Sequence, residues 1–283
     1  MTSHYPPSKK AVTTPIRKHR YNRLFVIGRP LNRRTMLSIT ITVFTVLFLL
    51  WWATTTSGLV KPIFMPTPTA VWNKLTQLLQ NGTLWSDIKV SIYRIMVAFL
   101  ISSVMAIIVG VLAGCFSFCK AIVEPFVDFI RYMPVVAFVP LSILWIGTGD
   151  EQKFLIIWIG TFFQQVLMVI DATKRVPADF IGLGRTLGMS ESKILFKIVL
   201  PSAFPAIWDT LRISLGWAWT WLVLAELVAA QSGLGYRIVL SQRYFQTDTI
   251  IGYILLLGLL GLFTDQMMRL CEKVLFRYNV RAK

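Results

Sequence analysis

Apolar runs long enough to cross a bilayer recur along this chain, separated by polar segments. Residues 36–53 contain no charged side chain, nor do 95–118, 132–149, 154–170 or 249–264. Stretches of roughly 17 to 25 apolar residues span a membrane as helices. A sixth stretch, 202–230, holds Asp209, Arg212 and Glu226 inside a Trp-rich apolar run. The pattern predicts an all-α integral membrane protein with six transmembrane helices, with residues 121–130 as an interfacial lead-in to the third.

The joints carry their own signals. Pro62, Pro66 and Pro68 follow the first span and forbid its continuation. Val71, Trp72, Leu75, Leu78 and Leu79 then recur at helical spacing, so 69–79 reads as an amphipathic helix on the outer membrane surface. Asn81-Gly82 ends it. Gly110 and Gly114 in the second span let a neighbouring helix approach closely. Pro134 and Pro140 each remove a backbone hydrogen bond from the third span and predict a kink or break. Irregular backbone at membrane depth is tolerated where protein or a watery cavity covers it, which marks this span as a pathway candidate.

Residues 176–201 stand apart. They are polar, basic and glycine-punctuated between two membrane-like stretches, and they carry apolar spacing of their own. A helix-sized excursion of this kind reads as a docking element for a partner.

Charge sets the orientation. The net charge is +16 with 29 Lys and Arg, which by itself would suit nucleic acid, but the distribution argues against that. Residues 1–35 hold nine basic side chains, 172–200 hold five, the stretch from Arg269 holds five, and Lys120 brings that side to 20. The opposite side holds six: Lys61, Lys74, Lys89, Lys153, Arg237 and Arg243. This asymmetry places both termini and the 172–200 loop in the cytoplasm. The expected organisation is a basic, mostly disordered tail at 1–35 attracted to anionic lipid and a retained first span at 36–56. An extracytoplasmic amphipathic segment at 57–90, a five-helix core at 91–270 and a cytoplasmic tail at 271–283 follow. Cys115, Cys119 and Cys271 build no disulfide framework, and both histidines, His4 and His19, lie in the tail, so no metal site is expected.

Catalytic patterns are missing. The chain has no nucleotide-binding G-x-x-x-x-G-K-[ST], no G-x-S-x-G and no H-E-x-x-H. No catalytic residue is assigned. A carrier driven by an ion gradient is the rival class, but such carriers show matched inverted halves, and no internal repeat is evident.

The excursion resembles the signature of permeases of binding-protein-dependent ABC importers, which is Glu-Ala-Ala, three residues, Gly, nine residues, then Ile-x-Leu-Pro. Gly188 takes the glycine position, and Ile198-Val199-Leu200-Pro201 follows at the expected distance. Gly182, Leu183 and Gly184 stand where the family has Glu-Ala-Ala, so the signature glutamate is missing. Further likenesses are Met65-Pro66-Thr67-Pro68, Ser91 with Arg94, Met133-Pro134, Leu144 to Gly149, Ala225-Glu226, Ser232 to Gly235 and Gly261 to Asp265. Together they resemble the nitrate/sulfonate/taurine-type permeases.

That resemblance implies a type I ABC importer permease fold with a cytoplasmic coupling helix, in the bacterial inner membrane. It implies two ABC ATPase subunits, a second permease copy, an extracytoplasmic solute-binding protein and contact with lipid, and no nucleic acid. No cofactor is expected on this chain; ATP and Mg would be held by the partner ATPases. Leu187, Met189, Ile194 and Leu195 would supply apolar contacts to the ATPase and Arg185, Glu191 and Lys193 rim charges, with Gly188 at the turn. The pathway candidates are Met133, Pro134, Pro140, Gln164, Gln165, Trp217, Thr220 and Glu226, with Arg94 and Arg131 as attractors for an anion. Glu226 and Arg212 also fit a structural ion pair. The implied solute is small and anionic (a sulfonate, taurine, nitrate or bicarbonate), with a neutral pyrimidine as the alternative.

Overall fold

The computed structural model describes residues 32–276, so most of the expected 1–35 tail and positions 277–283 lie outside the described residues. Regular structure among the described residues is entirely helical. The chain divides into two units, Met1–Ala53 and Thr54–Lys283. Helix α1 (Arg33–Thr56) has 24 residues and so rises about 36 Å, enough to cross a hydrocarbon core of about 30 Å.

In the second unit, α2 (Pro68–Gln80) starts where the sequence places a stop and a start together. Thr67 Oγ1 accepts from Ala70 N at 3.2 Å, and Pro68 occupies the first turn, where a missing N–H costs nothing. The apolar positions of α2 divide. Val71 is buried, Leu75 and Leu78 pack on the core, and Trp72 and Leu79 face outward. This helix therefore lies against protein as well as presenting an apolar rim, which differs from the expectation of a purely surface-bound helix.

Helix α3 (Thr83–Cys115) begins earlier than the expected boundary at residue 90. It packs on α6 (Asp150–Lys174) through small residues; an added Cβ at Gly110 would lie 2.7 Å from Val169 Cβ. Close approach of this kind is what holds helices together where lipid removes the hydrophobic drive.

The third crossing is not one straight helix. Helix α4 (Ser117–Arg131) and α5 (Val135–Ile146) meet at 95°. The 121–130 stretch expected as a lead-in is thus one arm of a broken pair. Pro134 sits at the break as the N-terminal cap of α5, whereas Pro140 lies inside α5 without ending it. With 12 residues, α5 rises only about 18 Å and cannot span alone. Counting the pair as one crossing, six candidate spans are present among the described residues.

After α6 come α7 (Ala178–Thr186), the short α8 (Glu191–Ile194) and one π turn (Leu195–Val199), which run into α9 (Leu200–Ala229). Helix α10 (Leu234–Arg243) and α11 (Thr247–Leu275) complete the chain, with α11 passing the expected boundary at 270. Helices α3, α6 and α9 form the centre, with Ile95, Ile157, Val169, Ile207 and Leu222 almost wholly buried among them.

Candidate translocation cavity and coupling segment

An open cavity of about 490 Å³ lies between the α4–α5 break and the middles of α6 and α9. Five of the eight pathway candidates line it: Met133 and Pro134 from the break, Gln164 from α6, and Trp217 and Thr220 from α9. Arg131 and Tyr132 line it too, with Gly160, Phe163 and Trp221. Arg131 ends α4 and bonds Asp128 at 3.0 Å and the Tyr132 hydroxyl at 3.0 Å. It is a cation at the edge of a largely apolar chamber.

The other three candidates lie elsewhere. Pro140 does not line the cavity. Gln165, one residue from Gln164, turns about 100° around α6 and is fully buried. Its carbonyl accepts from Ser102 Oγ at 2.7 Å, and its amide donates to Ser103 Oγ at 3.2 Å and Ser214 Oγ at 2.9 Å, which joins α3, α6 and α9. A buried amide must be satisfied in this way. Among the tryptophans, Trp219 faces α11, where its Nε1 donates to Thr264 Oγ1 at 3.1 Å.

Glu226 corrects the pathway expectation most clearly. It is 1% exposed and is the centre of an ion and hydrogen-bond cluster at the end of the bundle that carries α2 and α10. Arg94 Nη1 lies 2.9 Å from it, Ser91 Oγ donates at 2.8 Å, and Gly235 N donates at 2.8 Å. Its cation is Arg94, not Arg212, which pairs with Asp209 at 3.1 Å and Asp265 at 3.4 Å. Arg94 also bonds Asp150 at 2.7 Å and Ser232 O at 2.7 Å. Its side chain is thus buried and committed to structural bonds, away from the cavity. Taking two charges out of water is costly unless they pair with good geometry and further bonds, and both conditions are met here.

Asp87 makes a second node and was not foreseen. It accepts from Arg237 Nε at 2.8 Å, Tyr253 OH at 2.9 Å and Gly233 N at 3.3 Å. Burial acts to lower the Arg237 pKa, but the hydrogen bond and charge of Asp87 outweigh it and hold the guanidinium above its ordinary value. The signal in the sequence was the spacing of Asp87, Ser91 and Arg94, which puts three polar groups on one face of α3. Lys153 adds to this end by donating to Thr148 O at 2.6 Å.

At the opposite end, α7 and α8 build the excursion. Gly188 has φ +71° and follows the last turn of α7. Gly188 N bonds Arg185 O at 2.9 Å and Met189 N bonds Gly184 O at 3.0 Å, the paired bonds of a left-handed helix stop that glycine enters without strain. Arg185 then reaches across the turn to Glu191, with Nε–Oε1 at 3.0 Å. That hydrogen bond raises the Arg185 pKa above its ordinary value. Leu187 is 71% exposed, and Arg185, Glu191 and Lys193 are also exposed. Met189 and Leu195 are half-buried. Ile194 is buried beneath Gly184, so it supports the exposed face and does not form part of it.

A helical membrane bundle with a broken crossing beside a polar-edged cavity, and with a two-helix excursion at one end, defines a transport subunit. Among the described residues no group of three or more His, Cys, Asp or Glu could hold a metal. Residues 106–277 match the family described as binding-protein-dependent transport system inner membrane component, and the chain belongs to it. A probable ABC transporter permease protein of Brucella abortus is 34% identical over 82% of this chain and 92% of its own length. The taurine transport system permease protein TauC of Escherichia coli is 31% identical over 86% and 90%. The bicarbonate transport system permease protein CmpB of Synechococcus elongatus is 28% identical over 70% and 72%. A solved inward-facing structure of the MetNI methionine ABC transporter shares the fold with TM-score 0.60 and 20% identity, covering 71% of this chain and 97% of that one. The chain is the permease subunit of an ABC importer of type I fold, and not an enzyme.

Proposed function

We propose that this permease carries a small anionic solute of the sulfonate, taurine, nitrate or bicarbonate type through the cavity between the α4–α5 break, α6 and α9. The observation that carries the reading is the cation Arg131 at the rim of a chamber whose other polar side chains, among them Tyr132, Gln164 and Thr220, are neutral. Relatives bearing the names of taurine, aliphatic sulfonate and bicarbonate systems support the same class. The working unit on this reading is two copies of the permease in an inner membrane, with an extracytoplasmic binding protein and two ATPases that hold ATP and Mg. Both termini and the excursion face the cytoplasm, as the 20-to-6 distribution of basic residues supports. The exposed Arg185, Leu187, Gly188, Glu191 and Lys193, with Met189 and Leu195 behind them, form the surface that the ATPase engages.

The test is uptake into proteoliposomes containing the permease, its ATPase and its binding protein, with taurine, ethanesulfonate, nitrate and bicarbonate offered separately. ATP-dependent uptake of one of them is expected. Arg131→Gln should lower that uptake while leaving ATPase association intact. Uptake of a neutral pyrimidine, insensitive to Arg131→Gln, would replace the anion by a neutral solute. Labelling of Thr83→Cys from outside and Ser190→Cys from inside checks the orientation, and the reverse pattern would overturn it.

A further inference from the structure

Gly160 and Trp221 meet where α6 and α9 pass beside the cavity, and both line it. An ideal Cβ on Gly160 would lie within 2.6 Å of three atoms of the Trp221 indole: Cγ, Cδ1 and Cδ2. Those three atoms at nearly equal distance mean that the ring lies face-on over the glycine Cα. Ordinary carbon contacts begin near 3.4 Å, so even one methyl group at position 160 would push the ring away by roughly 1 Å. Trp221 is partly buried against the apolar core and also lines the cavity. A ring pushed off α6 therefore has the cavity beside it to move into. Gln164 stands one helical turn along from Gly160, on the same side of α6, and Thr220 precedes Trp221 on α9. The space beside these two polar groups exists because residue 160 has no side chain.

We infer that the Gly160–Trp221 contact sets the upper size of the solute that can pass Gln164, which makes residue 160 a specificity-determining position of the pathway. This rests on the proposed route through the cavity. The chemistry follows from the lining: the polar head of the solute meets Gln164, Thr220 and Arg131, and its apolar remainder lies against the indoles of Trp217 and Trp221. The contact limits the length or breadth of that remainder. One added or missing methylene in an apolar pocket changes selection by about tenfold or more, so a methyl at position 160 should act on that scale.

The test uses the assembled complex of permease, ATPase and binding protein, with Cys115, Cys119 and Cys271 replaced by alanine and Gln164→Cys as the reporter. The probes are a methyl and a benzyl methanethiosulfonate. Gly160→Ala should slow the benzyl reagent by about tenfold and leave the methyl reagent nearly unchanged. Adding Trp221→Phe, a smaller ring, should restore the benzyl rate. A general packing defect would slow both reagents alike and would not be rescued by the smaller ring; that result, or no change at all, would overturn the inference. A second measurement follows uptake of methanesulfonate and butanesulfonate. A loss of butanesulfonate relative to methanesulfonate in Gly160→Ala is expected, and equal loss of both would sink the claim about selection. If the parent complex takes up no sulfonate, the sulfonate reading fails by itself, while the thiol reagents still decide whether position 160 limits size.

Discussion

The two ends of the bundle use the same Arg–carboxylate chemistry to opposite effect. At the α2/α10 end, Arg94 and Glu226 are buried at 2.9 Å, with Asp87, Arg237 and Tyr253 beside them, and every carboxylate receives several bonds. At the α7/α8 end, Arg185 and Glu191 form an equally short pair at 3.0 Å, but both are about 60% exposed. Removing Arg94 from the first pair leaves the buried Glu226 without a counter-ion in low dielectric, whereas at the second pair, water takes over. The first end holds five helices in one arrangement; the second shapes a surface. Geometry alone does not separate the two pairs, but burial does.

Breaking the buried node should have the largest effect. Glu226→Ala takes away the buried partner of Arg94, leaves it only the half-exposed Asp150, and leaves Gly235 N without its acceptor, at a cost of up to about 3–5 kcal/mol. The expectation is a much lower unfolding midpoint in detergent or failure to accumulate in the membrane. The double variant Arg94→Met with Glu226→Met should recover much of the loss, and an unchanged midpoint in Glu226→Ala would refute the assignment of this cluster as the anchor.

Next comes the turn. Gly188→Glu forces a side chain into the left-handed region, at about 1–2 kcal/mol of local strain, on a segment with little else to hold it. ATPase subunits should then be lost in a pull-down at equal membrane expression. Gly182→Glu restores the residue that the signature carries, and an added Cβ there meets nothing within 4 Å. It should retain the ATPase. Full retention and full uptake by Gly188→Glu would show that the segment is an ordinary loop.

The adjacent glutamines sharpen the contrast within a single helix. Gln165→Leu leaves Ser102, Ser103 and Ser214 without their shared partner, which costs about 1–3 kcal/mol. Gln164→Leu should leave the unfolding midpoint near that of the parent and lower uptake instead. Equal effects on stability would contradict the placement of the two amides. The smallest effect belongs to Arg185→Ala, for which no measurable change of midpoint is expected, because the pair it removes is solvated on both sides.

Much of this was legible in the sequence because membranes impose simple rules. Uncharged runs gave the spans, Pro134 gave the break, and the spacing of Gly188 to Pro201 gave the excursion. Gln164 and Gln165 were both marked as pathway candidates, and since neighbours on a helix face different ways, only Gln164 lines the cavity. What was not legible depends on contact between distant positions. Arg94 and Glu226 are 132 residues apart, and nothing local says that they pair. Arg212 looked like an available cation for Glu226, yet it is held by Asp209 one turn away and by Asp265 on α11. The space beside Gln164 depends on Trp221 lying over Gly160, again a contact between helices. Pro140 carried the same signal as Pro134 and ended nothing, because a proline inside a helix bends it only as far as its neighbours allow.

The run from Glu191 to Val228 is one nearly unbroken helical path of 38 residues, interrupted by a single π turn. Its far end is fixed at Glu226, and its near end carries Glu191 and Lys193. Trp217 and Thr220 lie only a short way from the fixed end. At 1.5 Å per residue, Glu191 is about 50 Å from Glu226 and Trp217 is about 14 Å from it. A rigid path of that length would act as a lever with its fulcrum in the ionic cluster. A sideways stroke of about 5 Å at the α8 end would become about 1 to 1.5 Å at the cavity wall. On the proposed coupling role, a large motion at α8 would thereby be geared down to a displacement the size of a methyl group beside Gln164.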